Sequence, residues 1–130
     1  DRPPEAVSAC TDAAQVLAFQ ALVRQVPVSR EVGRHAVELV RATRPGDPAA
    51  SDLVRRYVKF GASVRAALSI TLAAKARALM QGRYHVTRDD IDALAAPVLR
   101  HRVMVNYFAE ADGIDVDAVL ADLVSQRMAA

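Results

Sequence analysis

The chain has 130 residues, 52% of them apolar but only 5% aromatic, and its 17 basic against 15 acidic side chains leave a formal net charge of +2. That length suits one domain burying roughly two-thirds of its unfolded surface, and an interior of small apolar side chains favours closely packed helices over a thick β-sandwich. No apolar run approaches the roughly 18 residues a bilayer span needs, the opening DRPPEAVSAC lacks the pattern of a signal peptide, and the small, interspersed charge excess makes only a weak case for nucleic acid.

In chain order, residues 1–10, with Pro3 and Pro4, read as a tail or linker. Cys10 is the only cysteine, so an intramolecular disulfide is impossible and a cytoplasmic, soluble protein is expected. A first helix is predicted from about residue 11 to 25, with Ala14, Leu17, Ala18, Ala21 and Leu22 on its inward face. Pro27 biases Val26 away from helix, which makes residues 26–28 a short extended piece. Ser29 suits the N-cap of a second helix, whose stripe of Val32, Ala36, Leu39 and Val40 falls at i, i+4, i+7 and i+8. TRPGDPAASD ends that helix in a flexible loop, and LVRRYVKF follows as a bridging turn or short helix.

Ser63 is set to cap a third helix that runs to about Gln81 and stops at Gly82, with Leu68, Leu72, Ala76, Leu79 and Met80 facing in. RYHV is a second extended piece, expected to pair with residues 26–28. TRDD opens a fourth helix, with Thr87 and Asp90 as a capping box and Ile91, Leu94, Ala95 and Val98 as its core face; Pro97 is expected to kink or split it. An irregular connection ends at Gly113. A fifth helix follows Asp115, with Val116, Val119, Leu120 and Leu123 inward. The whole predicts an all-α domain over residues 11–130, a compact bundle of about five helices with at most a minimal two-stranded sheet.

Side chains that carry chemistry are few. His35, His85 and His101 lie on different segments without metal-site spacing, and capping and the helix dipole account for Asp89, Asp90 and Asp92. RHR at 100–102 reads as a solvated or interface-facing basic turn. No G-x-G-x-x-G, no G-x-x-x-x-G-K-[ST] and no Ser–His–Asp constellation is present, so the chain by itself shows no catalytic machinery. One residue stands apart. In YVKFGASVRAAL, residues 57–68, Arg65 occupies a helical first turn, where a cation opposes the dipole at a cost of about 0.3–1 kcal/mol. A surface arginine tolerates that position. Alternatively, the guanidinium and the free N–H groups of the turn converge on an anion such as phosphate, with Gly61 permitting close backbone approach and Ser63 ordering the turn.

The stretches ELVRATRP, RRYVKFGASVRAAL, AAKARALMQGRYHVTRDDIDALAAPVLRHRV and YFAEADG, in that order, closely resemble the C-terminal lid domain of MoxR-type AAA+ ATPases over about residues 17–123. The resemblance implies a helical subdomain that follows an α/β nucleotide-binding domain. It makes Arg65 the sensor-2 residue, which contacts the γ-phosphate of ATP, and places Gly61 and Ser63 in the same nucleotide-binding motif. One position departs from the family pattern: proline usually precedes the arginine, and Val64 does not preset the dihedral as proline would.

It further implies ATP and Mg in a parent ATPase, with none bound to this piece alone and no hydrolysis by it. The phosphate loop, acidic metal motif and arginine finger then lie upstream of Asp1, and the missing initiator methionine fits an excised domain. Neighbouring subunits of a hexameric ring and a von Willebrand A-domain protein are the implied partners, in a chaperone-like role. Arg65 acts either within its own subunit or across the subunit interface. Two other readings compete: a stand-alone helical interaction module without ATP, and a DNA-binding domain using Arg55, Arg56, Arg100 and Arg102.

Overall fold

Local end signals place most of the helices. The computed structural model describes residues 8–128, so most of the tail expected over residues 1–10 lies outside the described residues. Helix α1 (Ala13–Gln25) begins on Asp12, whose carboxylate accepts the Gln15 N–H at 2.8 Å. Helix α2 (Arg30–Ala42) begins on Ser29, whose hydroxyl accepts the Val32 N–H at 3.2 Å. Its predicted stripe of Val32, Ala36, Leu39 and Val40 is buried.

The segment after α2 is more firmly held than its prolines and glycine predict. Arg41 donates to Asp47 at 3.0 Å, Arg55 donates to the carbonyls of Pro48 and Ala50, and Ser51 caps helix α3 (Asp52–Tyr57). Strand β1 (Val58–Phe60) leads into helix α4 (Val64–Met80), which Gly82 terminates at φ 71°. The Arg83 N–H reaches back to Ala78 O at 2.8 Å there, a turn that needs a residue comfortable in the left-handed region.

Helices α5 (Arg88–Ala93) and α6 (Ala95–Leu99) are the predicted fourth helix, split as expected. Pro97 has no N–H for the Ala93 carbonyl, and Leu94 turns out of helical geometry. Strand β2 (Met104–Val105), helix α7 (Tyr107–Asp112) and helix α8 (Val116–Met128) complete the order. The fold is helical with one two-stranded sheet, as anticipated. The five predicted segments resolve into eight helices among the described residues. Helix α4 lies centrally against α1, α2, α5 and α6, and α8 packs on α3 and α6. Leu39, Ile70, Ile91, Leu99, Leu120 and Leu123 form the fully buried centre.

Four expectations are corrected, each by tertiary packing. Residues 26–28 and RYHV form no sheet; a single hydrogen bond, Val86 N–H to Pro27 O at 3.4 Å, joins them. The sheet is β1 with β2, antiparallel, with Val58 opposite Val105 and Phe60 opposite Met104. The interval before Gly113, read as irregular, holds β2 and α7, with the Asn106 side chain capping α7.

Helix α4 buries Ala66, Ala67, Ile70, Ala74 and Ala78, whereas Leu68 (70% exposed), Leu72 and Met80 face outward and Ala76 and Leu79 are half-buried. Small side chains let a central helix approach its neighbours closely, and leucines there would push the axes apart. Helix α1 buries no residue at all, and its predicted inward face, including Leu17 and Leu22, is exposed.

Candidate functional site

The turn that carries Arg65 is built by two neighbouring elements. β1 delivers the chain to Gly61, and α2 ends on Thr43 beside it. A Cβ on Gly61 would stand 2.5 Å from Thr43 O and 2.8 Å from Arg44 Cα, so only glycine fits against the end of α2. The missing side chain therefore lets the chain leaving β1 pack directly on the end of α2.

The next residue is held on both sides of its peptide units. The Ala62 N–H donates to Thr43 Oγ1 at 2.8 Å, and Arg44 Nε donates to Ala62 O at 3.1 Å. Thr43 and Arg44 were seen in the sequence only as a helix end; the signal was ATR directly after the buried stripe of α2, but its partner lies 19 residues on.

Ser63 occupies the N-cap position of α4 in extended geometry (φ −84°, ψ 169°), yet its hydroxyl makes no capping bond, contrary to expectation. Its carbonyl accepts the Ala66 N–H at 2.9 Å, which leaves the N–H groups of Val64 and Arg65 without an acceptor among the described residues. Arg65 is exposed. Its carbonyl accepts the Ser69 hydroxyl at 3.0 Å, while its guanidinium has no hydrogen bond or ion pair among the described residues. Gly61, Ser63 and Arg65 thus share one turn, with a cation and two free donors at the positive end of a 17-residue helix.

Several other sequence candidates are engaged internally. Arg56 donates to Asp112 at 3.0 Å, Arg100 donates to Asp117 at 2.7 Å, and Arg55 and Arg102 bind backbone carbonyls. A DNA-binding surface would draw on all four of these cations, and each already has an intramolecular acceptor. His35 Nε2 meets Asp92 Oδ1 at 2.7 Å and so ties α2 to α5. Asp90 is buried; it accepts two bonds from Arg83 (2.6 and 2.8 Å), one from the Thr87 N–H (2.9 Å) and one from the Thr87 hydroxyl (3.0 Å). Chiefly through the Arg83 guanidinium, its carboxyl is held down at about 2. No group of three or more His, Cys, Asp or Glu among the described residues is arranged to hold a metal. No helix there is long and apolar enough to cross a membrane.

Residues 50–123 match the family model described as the AAA lid domain. The chain is 40% identical over 86 residues to Chaperone MoxR1 of Mycobacterium tuberculosis, an alignment that covers 66% of this chain and 23% of that protein. It is 31% identical over 107 residues to the uncharacterized protein YeaC of Bacillus subtilis, covering 82% of this chain and 31% of that protein. A crystal structure of a presumed ATPase from Cytophaga hutchinsonii superposes with a TM-score of 0.81 at 32% identity, covering 86% of this chain and 34% of that one. The chain therefore spans between about a quarter and a third of the proteins it matches.

Proposed function

The chain belongs to the AAA lid domain family, as the lid of a MoxR-like ATPase, and on that premise we propose that Arg65 is its sensor-2 residue, contacting the γ-phosphate of ATP held by a nucleotide-binding domain outside this chain. The observation that carries the proposal is the open end of α4: an exposed arginine without an internal partner, beside two free N–H groups. These donors fit a phosphate, whose negative charge offsets the unfavourable placement of a cation at a helix N-terminus.

ATP with its Mg ion, bound on the nucleotide-binding domain, would supply the γ-phosphoryl group, which passes to water and leaves ADP. Arg65 neutralises charge on that group and loses its contact when the γ-phosphate departs, so the lid distinguishes the triphosphate from the diphosphate. Gly61 and Ser63 shape the turn that presents it. In this proposal the chain alone hydrolyses nothing. The parent protein is a cytoplasmic ATPase working as a hexameric ring with chaperone activity, of the kind that the name of the mycobacterial relative carries, beside a von Willebrand A-domain partner.

The test is Arg65→Ala in the full-length protein. Turnover at saturating ATP is expected to fall by roughly 10²-fold, as when one charge-stabilising donor is removed from a site, with the unfolding midpoint unchanged. Unaltered turnover would refute the assignment. A stand-alone interaction module retains one observation in its favour, the open apolar groove between α1 and α4 that Val16, Phe19, Val23, Leu72 and Ala73 line. Such a module predicts no ATP-linked effect of Arg65→Ala.

A further inference from the structure

We infer that Thr43 is a positioning residue for Arg65: its buried hydroxyl fastens the turn before α4 to the end of α2 and so fixes where the arginine begins. The inference rests on the sensor-2 assignment of Arg65 and adds to it the device that holds the turn.

The hydroxyl is fully committed. Thr43 is 1% exposed; its Oγ1 donates to Val40 O at 2.7 Å and accepts the Ala62 N–H at 2.8 Å. Because its one proton is given to Val40, a lone pair is left to face Ala62. The Ala62 carbonyl is taken by Arg44 Nε, the Ala62 side chain is buried, and Gly61 lies against Thr43 O where no Cβ fits. Three residues before Arg65, the backbone has no freedom left. Beyond that point no side-chain hydrogen bond among the described residues fastens Ser63 or Val64: the Ser63 hydroxyl makes no cap, and Val64 does not preset its dihedral as proline would. The end of α4 is therefore placed from outside, by α2. An arginine that reaches into solvent for a ligand on another domain depends on a fixed root, and a displacement of about 1 Å is enough to cost about 10²-fold in rate.

Steady-state ATP hydrolysis by the full-length protein tests this with Thr43→Val, Thr43→Ser, Arg65→Ala and the double variant Thr43→Val/Arg65→Ala. Valine keeps the shape and leaves the Ala62 N–H without an acceptor, whereas serine keeps the hydroxyl. Thr43→Val is expected to lower kcat by roughly tenfold or more with much less change in KM. Thr43→Ser is expected within about twofold of the natural protein, and the double variant no slower than Arg65→Ala alone.

Natural turnover in Thr43→Val beside an impaired Arg65→Ala would overturn the role of Thr43 and leave that of Arg65 standing. Losses that multiply in the double variant would overturn it too, because Thr43 would then act independently of the arginine. An unimpaired Arg65→Ala would remove both assignments together. If Thr43→Val does not fold, Thr43→Ala takes its place, since it removes the same hydroxyl from Ala62 without placing a second methyl against it. It is expected to slow turnover to a similar extent, and only when Arg65 is present; an unchanged rate with Arg65 present would overturn the inference.

Discussion

Helices α4 and α5 begin within one domain and are built in opposite ways at their N-termini. The α5 end is closed: Asp90 accepts the Thr87 N–H and hydroxyl, sits opposite the dipole's positive end, and is gripped by Arg83, with Arg77 Nε 3.3 Å away. The α4 end is open: it has an uncapped serine, free donors and an arginine where an acid would be preferred. Charge complementarity at α5 is complete without anything from outside. At α4 it is completed only by an added anion. The first arrangement stabilises the domain, and the second leaves a cation and two donors unpaired among the described residues, the feature on which the proposed phosphate contact rests.

Substitutions at the two ends sharpen that comparison. The largest stability loss is expected from Asp90→Ala, about 3 kcal/mol, because it removes the cap and strands Arg83 and Arg77 without their carboxylate; a urea midpoint that hardly moves would show that the closed end is not structural. Arg65→Ala at the open end is expected to change stability by less than about 0.5 kcal/mol in the same titration.

Acid comes next. Asp90 has a depressed folded-state value of about 2 against an ordinary 3.8, so its contribution is full above about pH 4 and is lost as pH falls toward 2. That loss amounts to roughly 2 kcal/mol, and it is expected to vanish from the acid-unfolding curve of Asp90→Asn. The smallest contrast is between the two capping residues themselves. Thr87→Ala is expected to cost about 1 kcal/mol, and Ser63→Ala less than about 0.5 kcal/mol, since only the first hydroxyl is engaged. Equal losses in parallel denaturation curves would erase the distinction.

Much of this architecture was legible in the residues. The Ser29 start of α2, the Gly82 stop of α4, the Thr87–Asp90 box and the break caused by Pro97 all act within one helical turn. The turn of Gly61, Ser63 and Arg65 was legible as a candidate for the same reason, together with its family resemblance. What was misread depends on other elements: the alanine face of α4, the unburied α1 and the pairing of β1 with β2. The fit of Gly61 against Thr43 was not visible for the same reason.

By itself, then, the sequence determined where helices begin, end and break, and which end carries a misplaced cation, because caps, prolines and dipoles act over a few residues of contiguous chain. Tertiary structure alone decided which side of α4 is core and what holds Arg65 in place. Those outcomes depend on how closely helix axes approach and on a hydrogen bond between residues 19 apart, neither of which has a local signature.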